Sequence, residues 1–184
     1  MELTASHESV FPVEVLSRYQ IHETRNAATI LRATNPALFE ELVIALNEFE
    51  VVSDDLLLAG GPESGLARRF NESFRSRGWR EARVDTEIDL KLRIMPYRPS
   101  GETEATVTSS LVSNKGYKVD NFKGRVALDL EWNAKDGNLD RDIGAYRALY
   151  DAGFIDVGVI VTRTQADLHA FATQLRLENG MPLS

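Results

Sequence analysis

The sequence predicts a mixed α/β fold in which a central sheet is flanked by helices. Residues 79–97 alternate apolar and polar side chains over a length typical of a long strand. Residues 115–133 indicate two strands joined at Lys123-Gly124, and residues 154–162 form an apolar run typical of a strand buried on both faces. Because a helical pattern separates the last two strands, we expect an antiparallel meander joined to a parallel crossover strand.

Helical periodicity accounts for most of the remaining chain. It predicts helices over residues 23–32, from Asn35-Pro36 to about residue 50, over residues 65–77 after the cap residue Ser64, and over residues 139–151 and 164–177. Residues 102–113 are polar and rich in Thr and Ser, which favours a loop or a weak strand. We expect a single domain with an N-terminal helical part, about residues 1–78, and a core of about residues 79–184.

Composition narrows the class of protein. The chain has 184 residues, a net charge of −7 and no cysteine, which excludes disulfides and thiol nucleophiles. Its three histidines are isolated and support no histidine metal site. No apolar run approaches the ~20 residues of a membrane span, and the first residues lack a secretion signal, so we expect a cytoplasmic protein. The acidic balance argues against general nucleic-acid binding but does not exclude a nuclease, whose acidic metal site itself adds negative charge.

The strand over residues 125–133 carries the side chains best suited to chemistry. Its alternation gives one apolar face, formed by Val126, Leu128, Leu130 and Trp132, and one mixed face, formed by Arg125, Ala127, Asp129, Glu131 and Asn133. Carboxylate and amide oxygens at this spacing can present ligands to a hard cation such as Mg²⁺. A solvated polar face is the open alternative, although a central strand must satisfy its carboxylates. Asp120 can approach the same region if the hairpin twists or bulges.

Asp120, followed after ten residues by Glu131 and then by Asn133, resembles the core motif of PD-(D/E)XK nucleases. The longer string EWNAKDGNLDRDIGAYRALYDAGFIDVGVIVTR is similar to the BglII/BstYI-type branch of type II restriction endonucleases. In that branch, Gln or Asn often replaces the lysine of the motif. The resemblance spans most of the chain and implies a restriction-endonuclease-like core.

The resemblance implies a Mg²⁺-dependent type II enzyme that hydrolyses double-stranded DNA at a short palindromic site. Asp120 and Glu131 would bind the metal. Asn133 would orient the attacking water, because an amide does not titrate and cannot act as a base. Asp129 is the second candidate ligand, against the alternatives of a solvated carboxylate or a partner of Arg125.

The resemblance also implies DNA contacts beside this strand. Lys135 and Asp136 would contact DNA from the loop that follows it, and Arg163 would do so after the apolar strand. Arginine is the commonest reader of guanine, but an ordinary surface role is open for all three residues. Asp140, Arg141 and Asp142 favour a helix start with ion pairs, because acidic residues suit a helix N-terminus.

Partners follow from the same resemblance. A palindromic site is matched by a twofold-symmetric protein, so we expect a homodimer. A self-toxic nuclease needs protection, so we expect a cognate DNA methyltransferase as a functional partner. The alternative function is a catalytically inactive, nuclease-derived domain that binds DNA or another partner.

Overall fold

The structure is a computed structural model that describes residues 2–57, 64–132 and 138–179. The chain divides into two compact units. The main unit comprises Met1–Ala82 and Val119–Ser184, and the hairpin unit comprises Arg83–Lys118.

The N-terminal half is helical, as its periodicity predicts. Two short strands pair with each other, β1 (Leu3–Thr4) and β2 (Glu23–Thr24). The helices are α1 (His7–Val10), α2 (Val13–Arg18), α3 (Ala27–Thr34), α4 (Pro36–Glu48), α5 (Asp54–Leu57) and α6 (Gly65–Arg75). The predicted caps are confirmed, because α4 begins at its proline and the Ser64 hydroxyl accepts a hydrogen bond from the Ala67 N–H at 3.1 Å.

The second half supplies the larger sheet. Its elements are β3 (Arg80–Ile94), a 3₁₀ turn (Arg98–Ser100), β4 (Thr106–Lys123), β5 (Val126–Glu131), α7 (Asn138–Asp151), β6 (Val157–Thr162) and α8 (Gln165–Asn179). The strand order is β3-β4-β5-β6. β5 pairs antiparallel with β4 and parallel with β6, which confirms the predicted mixed sheet.

One strand prediction is decided by the structure and another needs correction. Residues 102–113 are expected to form a loop or a weak strand, and the strand alternative holds from Thr106, where β4 begins, because pairing with β3 stabilises a segment whose own pattern is weak. β6 begins only at Val157 and is not buried on both faces, because Val157 and Val161 are buried on one face whereas Gly158 and Thr162 are exposed on the other. Among the described strands it has only β5 as a neighbour, and Gly158 on it is exposed.

Both faces of β5 are covered. Val126, Leu128 and Leu130 belong to the hydrophobic core that includes the N-terminal helices. On the opposite face, Ala127 and Asp129 are also buried. The central position of β5 is confirmed by its two neighbours, β4 and β6. Because both of its faces are also covered, any carboxylate on the second face must find partners inside the protein.

The hairpin unit consists of parts of two long strands with exposed side chains on both faces. Gly116 is required by a close approach: a Cβ at this position would lie 2.0 Å from the carbonyl oxygen of Val84. Apolar residues of β3, from Ile88 to Ile94, remain between 44% and 63% exposed.

Across the part of the chain that the structure describes, no helix combines the length and the apolar character needed to cross a membrane.

Candidate active site

The β4–β5 hairpin brings Asp120 and Asp129 together. The register pairs Asn121 with Leu128 and Phe122 with Ala127, so Asp120 follows on β4 beside Asp129 on β5. The backbone N–H of Asp120 donates a hydrogen bond to Oδ1 of Asp129 at 2.6 Å. The short turn after Lys123 therefore fixes the position of Asp120 relative to the carboxylates of β5.

Asp129 is held from two sides. Its Oδ2 accepts a hydrogen bond from the Tyr146 hydroxyl of α7 at 2.6 Å, while Oδ1 is occupied by the backbone of Asp120. Gly158 makes room for the tyrosine, because a Cβ there would lie 2.3 Å from the ring. Asp129 is 6% exposed, which excludes a solvated carboxylate.

Arg125 does not pair with Asp129. Its guanidinium instead forms a salt bridge with Asp156 at 2.9 Å. Since both oxygens of Asp129 already accept protein hydrogen bonds, its chemistry suits the support of Asp120 better than direct ligation.

Glu131 lies at the end of β5 and is close to Asp142 of α7. Burial raises the pKa of Glu131 to about 7, with further increases from the charge of Asp142 and from a hydrogen bond with Asp142. Asp142 is itself buried, and Arg141 donates to its Oδ1 at 3.1 Å. Among the described residues, Oδ2 of Asp142 has no hydrogen-bond partner. When Glu131 and Asp142 are both ionised, their like charges repel and Oδ2 of Asp142 has no donor. A proton or a cation bound between these two carboxyl groups is therefore favoured.

The same electrostatics act on Asp129. Burial raises its pKa to about 6, the hydrogen bonds from Tyr146 and Asp120 oppose this shift, and the charges of Asp120 and Asp142 add to it. We call Asp120, Asp129, Glu131 and Asp142 the acidic cluster. Mutual repulsion between carboxylates within a protein makes the cluster a favourable environment for positive charge.

The donor chemistry of the acidic cluster fits a divalent cation. Carboxylate oxygens are the ligands that Mg²⁺ prefers, and Oδ2 of Asp142 accepts no hydrogen bond from the described residues. The described residues contain no group of three or more His, Asp or Glu side chains arranged to hold a metal. Mg²⁺ commonly uses one or two carboxylates together with waters and substrate phosphates, which matches so few protein ligands.

Three predicted site residues, Asn133, Lys135 and Asp136, lie outside the described residues.

Arg163 is described: its guanidinium carbon lies 5.5 Å from the centroid of the Trp132 ring, a cation–π contact. Glu131 pairs with Thr162 in the parallel register, so Arg163 follows directly beside the end of β5. Both Arg163 and Trp132 line a cavity of about 310 Å³ at this end of the two strands.

Sequence reasoning missed Asp142 and Tyr146 as parts of this site. The sequence predicts a helix start with ion pairs for Asp142, and the pair with Arg141 is present, but Asp142 also faces Glu131. The sequence does contain a signal, because Asp142 shares the helical spacing of Ala145, Tyr146 and Leu149. In the structure all four of these residues are buried. A carboxylate on the apolar stripe of a helix marks a position that needs an internal partner.

The mixed four-stranded sheet flanked by helices is consistent with a restriction-endonuclease-like fold. A model of the family Restriction endonuclease BglII/BglIII matches residues 19–178, and the chain belongs to this family. It is accordingly a type II site-specific deoxyribonuclease that hydrolyses DNA, and restriction endonucleases of this family generally use divalent metal ions. A search of curated proteins finds no match to the chain.

Proposed function

We propose that this restriction endonuclease uses Mg²⁺ to cleave double-stranded DNA at a short palindromic site, with Asp120 and Glu131 as the metal ligands. The observation that carries the proposal is that several carboxylates lie close together at β5, the strand that pairs antiparallel with β4 and parallel with β6. Asp120 is held beside Asp129 by a 2.6 Å hydrogen bond, and Glu131 ends the same strand next to Asp142.

Each side chain of the cluster has a distinct task in this proposal. A divalent cation at Asp120 and Glu131 would polarise the scissile phosphodiester and lower the pKa of the attacking water. Asn133 would orient that water by hydrogen bonding, since its amide cannot take the proton. Asp129 and Tyr146 are positioning residues that hold the backbone of Asp120 in place.

Asp142 tunes the charge of Glu131. Burial first and the Asp142 carboxylate second raise the pKa of Glu131, so the free site would hold a proton more readily than an ordinary carboxyl and would release it when a cation binds. The Arg141 guanidinium, 3.1 Å from Oδ1 of Asp142, limits the negative charge that accumulates there.

DNA contacts are proposed for Lys135, Asp136 and Arg163. Support for Arg163 comes from its place directly after β6, beside the end of β5 that carries Glu131. An arginine here can donate two hydrogen bonds to a guanine edge in the major groove.

A palindromic target also motivates a homodimer, because each half-site then meets the same protein surface. The proposed setting is the cytoplasm, with a cognate DNA methyltransferase that modifies the host sites and so protects them from cleavage.

The direct test is incubation of the pure protein with unmethylated plasmid and Mg²⁺, beside Glu131→Ala and the control Glu72→Ala. Glu72 is an exposed residue of α6, remote in sequence from the cluster. We expect discrete fragments from the wild type and the control, and none from Glu131→Ala. Equal cleavage by all three proteins contradicts the assignment of Glu131.

The second candidate is a nuclease-derived domain that binds DNA without cutting it. The observation behind this alternative is the amide at position 133, where the wider PD-(D/E)XK motif has lysine, although Gln or Asn often stands there in the BglII/BstYI-type branch. A mobility shift of DNA in a gel-shift assay, together with no cleavage in the presence of any divalent cation, would select this alternative.

A further inference from the structure

β3, the strand at one end of the described sheet order, carries a self-complementary charge pattern. Residues 87–93 read Glu-Ile-Asp-Leu-Lys-Leu-Arg, in which every second residue is apolar. The charged positions on the other face are acidic in the first half and basic in the second. When two copies of this strand run in opposite directions, the acidic half of one copy therefore lies opposite the basic half of the other.

β3 has an edge that can accept another strand. It contains 15 residues and occupies one end of the described sheet order, so it has β4 as a neighbour on one side only within the described residues. Such an edge presents unpaired N–H and C=O groups to a further strand. A two-stranded hairpin alone is marginally stable in water, and exposed Leu90 and Leu92 add apolar surface that gains from being covered.

We propose that residues 87–93 of β3 pair antiparallel with the same residues of a second copy of this chain, centred on Leu90. In this register Glu87 of one copy faces Arg93 of the other, and Asp89 faces Lys91. By symmetry the same contacts recur on the other side of the centre, so four opposite-charge pairs form on one face. On the other face Ile88 lies opposite Leu92, and Leu90 lies opposite Leu90.

The charges select this register over its neighbours. Centring the pair on Asp89 places two aspartates opposite each other, and centring it on Lys91 places two lysines opposite each other. A parallel pair in register sets every charge against its own kind. Like charges directly opposite in a sheet are destabilising, whereas opposite charges stabilise the pairing. An antiparallel pair about a twofold axis is also the isologous contact of a closed dimer.

The composition of the hairpin unit favours a protein partner over a polyanion. Residues 83–118 contain six basic and five acidic side chains, too balanced for attraction to phosphates. Lys91 and Asp89 form an exposed ion pair at 3.3 Å within the free strand. Exposed pairs of this kind contribute little, so the same charges remain available for contacts between two copies.

The inference rests on the homodimer of the proposed function and not on cleavage, so both can be tested separately. Sedimentation velocity of the full chain without DNA, across the micromolar range, measures the association. The acidic variant Lys91→Glu/Arg93→Glu and the basic variant Glu87→Lys/Asp89→Lys each place like charges opposite in the proposed register. We expect each variant alone to dimerise on the order of a hundredfold more weakly than the wild type.

The decisive sample is the mixture of the acidic and basic variants, which should form a mixed dimer with about the stability of the wild-type dimer. The fourfold variant carrying both sets of changes should again dimerise by itself. Far-UV circular dichroism checks that each variant is folded, and the mixture tests association even if one variant is less stable alone. Plasmid cleavage is assayed separately, so that loss of the dimer is distinguishable from loss of the nuclease.

Three outcomes would overturn the proposal. A wild-type protein that is monomeric throughout this range removes the dimer, whether or not the plasmid is cut. Variants that dimerise like the wild type move the interface away from β3. If the acidic and basic variants are both folded but do not associate when mixed, the proposed charge pairing between two copies of β3 is refuted.

Discussion

Replacing Glu131 with glutamine should stabilise the metal-free protein at alkaline pH while abolishing DNA cleavage. In the folded protein the pKa of Glu131 is raised from 4.5 to about 7 by burial and by Asp142. The folded state therefore holds this proton more tightly than the unfolded chain does. Stability is lost as pH rises between these two values, and the full penalty is present above about pH 7. Glutamine carries no charge and can donate an N–H to the Asp142 carboxylate.

The magnitude follows from the shift. At 1.36 kcal/mol per pKa unit, ionising Glu131 costs at most about 3 kcal/mol of folding free energy. Because the side chain is partly exposed, solvent screening reduces this to about 1–2 kcal/mol. For a chain of this length, that gain corresponds to an increase in melting temperature of about 2–8 °C.

The assay is thermal unfolding in a chelating buffer at about pH 5 and about pH 8, with Glu72→Gln as the exposed control. We expect Glu131→Gln to melt above the wild type at the higher pH and close to it at the lower pH. The control should follow the wild type at both. If Glu131→Gln lowers the melting temperature at alkaline pH, or raises it equally at both pH values, the electrostatic description of the site is refuted.

Three further changes probe the supports of the site. Tyr146→Phe removes the donor to buried Asp129 and should cost about 1–3 kcal/mol in urea unfolding, whereas an unchanged midpoint would show that the 2.6 Å hydrogen bond contributes nothing. Gly158→Ala places a methyl group 2.3 Å from the Tyr146 ring and should destabilise the protein by about 1–3 kcal/mol, and a neutral result would contradict this packing. Millimolar Mg²⁺ or Ca²⁺ at about pH 8 should raise the melting temperature of the wild type by linkage. Asp120→Asn should reduce that rise, and an equal rise in both proteins would remove Asp120 as a ligand.

The contact between Asp120 and the strand of Glu131 could be predicted from local sequence features. Strict alternation over residues 125–133 sets which side chains share a face, and the turn after Lys123 sets the register of the hairpin. Once both are known, Asp120 must lie beside Asp129. Local patterns of this kind are determined within a few residues, which is why they are readable from the sequence.

The contribution of α7 could not be predicted in the same way. Asp140, Arg141 and Asp142 are three consecutive charged residues, and only the packing of the helix decides which of them faces β5. Asp142 is buried against Glu131, whereas Asp140 and Arg141 are exposed. Such a contact depends on how distant elements pack.

The strand ends illustrate the same limit. The Ser- and Thr-rich start of β4 has little strand signal of its own, and it becomes a strand through its neighbour β3. β6 has the apolar composition of a strand covered on both faces, yet it ends the described sheet. Composition indicates that a segment can be buried, but the elements that pack against its faces decide whether it is.

The most direct measurement of the central claim is sequencing of the DNA ends produced from unmethylated genomic DNA with Mg²⁺. For the wild type, we predict that all ends derive from one short, twofold-symmetric sequence, because a symmetric dimer reads both half-sites alike. Asp120→Asn should produce no ends above background. Ends that share no sequence, or equal numbers of ends from Asp120→Asn, would contradict a metal-dependent restriction site built on Asp120 and Glu131.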